Sequence, residues 1–254
     1  MKTIDAIKAL NDIASAQKGM FTTAQAQRTG IERYTVSRLE KLGNIERLAK
    51  GVYRMGGAPS QREGDMFAVW LSLNPGRCPG SPPAERDPVA MGAAAAWLHG
   101  IGEVGPTPYE FCTDERRQTQ RPDLVLRKRK IEAADVTVVS GIPATTPSRT
   151  VVDLIDYRED LSLVANVLND ALARGLVTDE ARLRKEIDSR AARAGLPKGS
   201  SLYELLFAGV SVASVSKRLG HTSMNTTQET YLHVIRELEN KDVDIVMRAL
   251  STLM

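Results

Sequence analysis

Apolar residues at the start of the chain recur at intervals of three. Ile4, Ile7, Leu10 and Ile13 make a stripe of helical period. Thr3 stands where a cap is expected, and Asp5 falls in the first turn, where the helix dipole favours a carboxylate. Gly19 ends this element. Phe21-Thr22-Thr23 opens a second, capped by Thr22 or Thr23, and Gly30 breaks it. A third helix is expected from about Glu32 to Leu42. Val36, Leu39 and Leu42 form its inward face; Arg33, Tyr34, Thr35, Ser37, Arg38 and Lys41 form the other. After Gly43, two short alternating runs, Ile45-Glu-Arg-Leu48 and Val52-Tyr-Arg-Met55, flank Ala-Lys-Gly, the pattern of a hairpin.

Further along, Ser60 to Leu73 reads as a helix with Met66, Phe67, Trp70 and Leu71 apolar. The stretch from Asn74 to Pro88 holds five of the twelve prolines and reads as a loop. Ala90 to His99 is alanine-rich and helical, stopped by Gly100. His99 has no Cys, Asp or Glu at ligand spacing and reads as a helix-end residue. Tyr109-Glu-Phe-Cys, Asp123-Leu-Val-Leu and Val136-Thr-Val-Val read as strands. Ile142 to Thr150 leads into a helix through Val151 to Ile155, with Thr146 or Ser148 as cap. Leu161 to Leu172 and Asp179 to Ala194 are further amphipathic helices. The fold class expected is α+β: an N-terminal winged helix-turn-helix (1–57), a mixed α/β middle domain (60–200) and a helical C-terminal tail (201–254).

Charge sharpens the reading of the first module. The whole chain carries a net charge of +3, yet residues 1–56 hold ten Lys and Arg against five Asp and Glu. A compact module with that excess suits a polyanion. Helix, Gly-containing turn, then a helix with a basic, hydroxyl-rich face is the layout of a helix-turn-helix. Arg reads guanine edges, Ser and Thr bond bases or phosphates, and Lys anchors the backbone. The hairpin becomes a wing whose Arg47, Lys50 and Arg54 reach phosphates. Two other readings of this segment stand: a small helical bundle with a solvated charged face, and a protein-binding platform. Arg127, Lys128, Arg129 and Lys130, with Arg116, Arg117 and Arg121 upstream, are either a second nucleic-acid or partner contact or a solvated loop.

Composition excludes several classes. At 254 residues the chain has room for two domains, with one or three also admissible. No apolar run is long enough to span a membrane. The N-terminus carries Asp5 and Asp12 where a signal peptide needs an unbroken apolar run, so a cytoplasmic protein is expected. Cys78 and Cys112 make neither a disulfide framework nor a metal set, and no cofactor or metal is expected.

Two resemblances extend this reading. Phe21-Thr-Thr-Ala-Gln-Ala, Leu48-Ala-Lys-Gly-Val-Tyr-Arg54, Ala94-Ala-Ala-Trp-Leu-His-Gly100 and Gly141-Ile-Pro-Ala-Thr-Thr-Pro-Ser-Arg-Thr-Val-Val-Asp-Leu154 occur in that order. Together they resemble the AbiEi family of antitoxins over about residues 1–195. The resemblance implies a type IV toxin–antitoxin system. Its winged domain represses the operon's own promoter, probing double-stranded DNA at inverted repeats. The second domain opposes a nucleotidyltransferase-like toxin, AbiEii, encoded nearby. Family members also occur as solitary regulators.

From about Tyr203 onward the chain resembles the C-terminal end of phage-integrase-type tyrosine recombinases. Leu205 to His221 and Thr226-Thr-Gln-Glu-Thr-Tyr231-Leu-His233 carry the likeness. It implies that His221 matches a catalytic-pocket histidine and Tyr231 the nucleophile. The family's His-x-x-Arg window falls on Gly195-Leu-Pro-Lys198, where the His is missing and Lys replaces Arg. No earlier catalytic half is recognisable. Since losing one such donor costs about a hundred- to a thousand-fold in rate, the tail is expected to be vestigial and the protein not an enzyme. Its apolar positions from Leu238 to Leu253 suggest self-association through the tail.

Overall fold

A computed structural model describes residues 3–209, apart from 79, 80, 82, 83, 85, 197 and 198. The chain is mixed α and β and forms two compact units. Among the described residues, one comprises those up to Leu98 together with Pro106–Thr146; the other comprises His99–Gly105 and those from Pro147 to Gly209.

The first unit opens with α1 (Thr3–Ser15), β1 (Met20–Thr22), α2 (Thr23–Arg28), α3 (Arg33–Lys41), β2 (Ile45–Ala49) and β3 (Val52–Met55). The strands form an antiparallel sheet in the order β1-β3-β2. A helix, a short strand, two further helices and a hairpin, in this order, have the layout of a winged helix-turn-helix. Thr22 caps α2 through a reciprocal capping box with Gln25. Gly19 turns the chain from α1 into β1 at φ 78°, and a Cβ there would stand 2.4 Å from that of Ala58. Gly51, at φ 72°, turns the wing.

Both helical stripes differ from the expectation in the same way. In α1 the buried residues are Ala6, Leu10 and Ala14, spaced by four, while Ile4 is 67% exposed. In α3, Val36 and Leu39 are buried, but Leu42, which caps its C-terminus, is 64% exposed. A step of three falls about 60° short of a full turn. Successive threes therefore drift off the packed face.

The small sheet is covered on both sides. Phe21 and Tyr53 face the helices of the module and stack at 5.7 Å. Their neighbours Met20 and Val52 face the other way, into a second core. That core is built by α4 (Gly64–Leu73), β4 (Val89–Ala90), α5 (Gly92–His99), β5 (Tyr109–Thr113), β6 (Leu124–Lys128), β7 (Val136–Val139) and β8 (Ile142–Thr145). The five strands run in the order β6-β5-β4-β8-β7, with β5 and β6 parallel and β4 parallel to β8. Helix α4 begins at Gly64, later than the expected Ser60, and is buried along most of its length.

Polar contacts reinforce the join between the module and the larger sheet. Gln17 and Gln25 exchange amide hydrogen bonds of 3.0 and 2.9 Å while almost fully buried. Gln25 also donates to the Arg77 carbonyl at 2.7 Å, and the Thr22 hydroxyl donates to the Pro75 carbonyl at 2.6 Å. The 74–88 loop is closed by a buried ion pair between Arg77 and Asp87. Lys18 pairs with Glu63 at 2.8 Å, and this bond holds the Glu63 carboxyl below the usual carboxylate range. A carboxylate with a lowered folded pKa stabilises above its unfolded value, about 4.3, and loses that contribution as pH falls through the folded value. Denaturant titrations should show the parent more stable than Glu63→Gln at pH 7, with the gap closing in acid below about pH 4. A gap that widens on acidification would contradict this assignment.

The second unit contains α6 (Pro147–Asp156), α7 (Leu161–Ala173), α8 (Glu180–Asp188) and α9 (Leu202–Phe207). Pro147 opens α6, the position where its missing N–H costs nothing. Arg190 clasps Asp156 at 2.8 and 3.1 Å. No helix among the described residues is long and apolar enough to cross a membrane. Of the recombinase-like segment only the part up to residue 209 is described; His221 and Tyr231 lie outside the described residues, as do the apolar positions from Leu238 to Leu253.

Candidate nucleic-acid interface

Helix α3 is held by its buried face and by what surrounds it. Val36 and Leu39 enter a core with Leu10, Phe21, Ala26 and Ile31. Ile31 also ends the turn after α2, its N–H bonded to the Ala26 carbonyl at 3.0 Å. The rest of α3 is left to solvent. Arg33, Tyr34, Ser37, Arg38 and Lys41 are exposed, Thr35 half-buried, and Tyr34 retains 73% of its surface. Arg33 and Lys41 have no polar partner among the described residues. Arg38 is different: its guanidinium donates to the Thr3 hydroxyl at 2.8 Å, linking α3 to the start of α1.

On the wing, Arg47 and Lys50 are exposed, with Lys50 beside Gly51 at the tip. Arg54 departs from the expectation. It sits on the central strand opposite Glu46, at 2.6 Å, with only 18% of its side chain exposed. Register explains the difference: Glu46 and Arg54 are cross-strand neighbours, and the pair neutralises the charge that the sequence offered to a phosphate. Lys18 and Arg28 are likewise engaged, with Glu63 and with the Gly76 carbonyl. Among the described residues, most of the cations that remain exposed lie on α3 and the wing; Lys8 on α1 and Arg28 on α2 are the others.

The basic run farther along does not form one face. Arg127 points to one side of β6 and bonds Glu110 at 2.6 Å, whereas Lys128 points to the other. Arg129 and Lys130 lie beyond the strand, beside a separate hollow lined also by Cys112 and Glu132. Cys112 is buried and Cys78 exposed. Among the described residues, no three His, Cys, Asp or Glu side chains converge as a metal site would require. The link between Arg38 and Thr3 leaves no mark in the sequence pattern, because it joins residues of different helices.

A family model described as a transcriptional regulator, AbiEi antitoxin, matches residues 8–56. One described as the AbiEi antitoxin C-terminal domain matches residues 88–205. A crystal structure of the RV2827C protein from Mycobacterium tuberculosis aligns over 81% of this chain and 82% of that chain, at 15% identity and a TM-score of 0.48. No curated protein matches.

Proposed function

The chain belongs to the AbiEi antitoxin family, and we propose that it binds double-stranded DNA at its own promoter through α3 and the wing. One observation carries this reading: among the described residues of the module, α3 and the wing together present five exposed basic side chains, Arg33, Arg38, Lys41, Arg47 and Lys50, against Lys8 on α1 and Arg28 on α2, while Lys18 and Arg54 are paired with carboxylates. The first turns of a recognition helix meet base edges in the major groove. Arg33, Tyr34 and Ser37 take that role. Lys41, Arg47 and Lys50 grip phosphates, and Arg38 positions α1 against α3. Binding at inverted repeats represses the operon, and the domain over about 60–200 opposes a nucleotidyltransferase-like toxin encoded nearby. The protein acts in the cytoplasm, without catalysis of its own.

Anisotropy titrations on the gene's upstream duplex across a range of salt test the assignment. Arg47→Ala and Lys50→Ala should each flatten the plot of log affinity against log salt by about one, with little change in sequence preference. Arg33→Ala should cost about 1–3 kcal/mol on the promoter and narrow its advantage over an unrelated duplex. Parent-like slopes and preferences in all three variants would remove α3 and the wing from the interface.

A further inference from the structure

Strand β6 leaves an unused edge. The Tyr109 N–H donates to the Asp123 carbonyl at 2.8 Å, and the Arg129 N–H to the Thr113 carbonyl at 3.0 Å. In a parallel ladder this sets the odd-numbered residues of β6 toward β5. The peptide groups of Leu126 and Lys128 therefore point away from the sheet. Strand β6 is terminal in the strand order, and among the described residues nothing bonds these groups. Only the Leu124 N–H is turned back, onto the Arg121 carbonyl at 3.4 Å.

A hollow of about 770 Å³ lies against this edge, lined by Leu126 and Lys128 on the strand and by Arg116, Arg117 and Thr119 on the preceding loop. Leu126 is half-buried and supplies an apolar floor. Arg116 and Lys128 are exposed and have no ion-pair partner among the described residues. Arg117 donates to the Leu73 carbonyl at 2.8 Å, which fixes one wall.

We propose that this edge docks an extended acidic polypeptide segment as an additional strand. Its main chain pairs with Leu126 and Lys128, its carboxylates face Arg116 and Lys128, and an apolar side chain rests on Leu126. Strand addition of this kind draws affinity from the main chain and specificity from alternate side chains. The charge selects the occupant. A second copy of β6 would set Lys128 and Arg116 against their like, a common safeguard of edge strands. A DNA strand offers only acceptors along its backbone. Its phosphates would suit the outward N–H groups but would stand against the outward carbonyls of Leu126 and Lys128. A strand satisfies both.

The test uses the full chain and a fluorescent peptide of roughly ten residues, a typical strand length, in which Val and Glu take turns along one face of the extended chain and Thr fills the other. Saturable binding is expected. Replacing the valines by prolines removes the N–H groups the edge needs and should abolish it. The double variant Arg116→Glu, Lys128→Glu changes only exposed side chains and should weaken binding by about tenfold or more. The proposal is overturned if the peptide does not bind, if the proline form binds equally, or if the double variant binds like the parent. It is also overturned if a single-stranded oligonucleotide of equal charge displaces the peptide, which would mark the hollow as a nucleic-acid surface.

Discussion

Asp87→Ala should destabilise the protein by about 3–5 kcal/mol, because it leaves a buried guanidinium without its counter-charge. Asp87 is 5% exposed and holds more than one partner. One oxygen accepts from the Asn74 amide and the other from the Ala84 N–H and Arg77. Arg77 in turn lies 4.9 Å from the centre of the Trp70 ring, and its carbonyl receives the Gln25 amide. Neither the ring nor the backbone carbonyl can replace the lost charge. Asp87→Asn keeps a polar side chain of the same shape and should fall between parent and alanine. Replacing both Arg77 and Asp87 by leucine should cost less than Asp87→Ala alone, since no charge is then left buried. Urea midpoints would measure all three. A loss below about 1 kcal/mol in Asp87→Ala would mean that Arg77 swings out to water instead. Because the 74–88 loop also accepts the Thr22 hydroxyl, Asp87→Ala should weaken DNA binding even though Asp87 is not assigned to the interface.

Phe21→Ala should cost a similar amount, about 3–5 kcal/mol, through the cavity it opens. Phe21 is fully buried, pairs in register with Tyr53 and shares a core with Ala26, Ile31, Val36 and Leu39. Those four residues set the turn and the inward face of α3. The cavity therefore sits beneath the proposed recognition helix. Phe21→Leu refills most of the volume and should recover most of the stability. A Phe21→Ala protein that melts and binds DNA like the parent would show that α3 is supported from elsewhere.

The reading of the sequence succeeded where one side of an element meets water. The outward face of α3 and the Lys50-Gly51 wing turn were legible because polar and apolar residues separate cleanly there. Strands β1, β4 and β8 were not. Met20-Phe21-Thr22 is buried on both sides, so its residues lack the alternation that marks a half-exposed strand. Val89-Ala90 is too short to carry a period. Ile142-Pro143-Ala144-Thr145 reads only as the lead into a helix, yet all four residues are buried in β8. Lys18, Arg28 and Arg54 looked as available as Arg33 because their partners are supplied by the fold. The role of α4 was also hidden: it lies between the two segments matched by the family models, and it supplies the core that backs the winged sheet.

The central claim is that α3 and the wing read the gene's own upstream DNA. Footprinting that region with the full-length protein tests it most directly, comparing the parent with a variant carrying Arg33→Ala, Ser37→Ala and Lys41→Ala. The expected result is a discrete protected stretch containing inverted repeats, lost in the variant at a salt concentration where the parent still binds. No protection even at low salt, or the same footprint from both proteins, would contradict it.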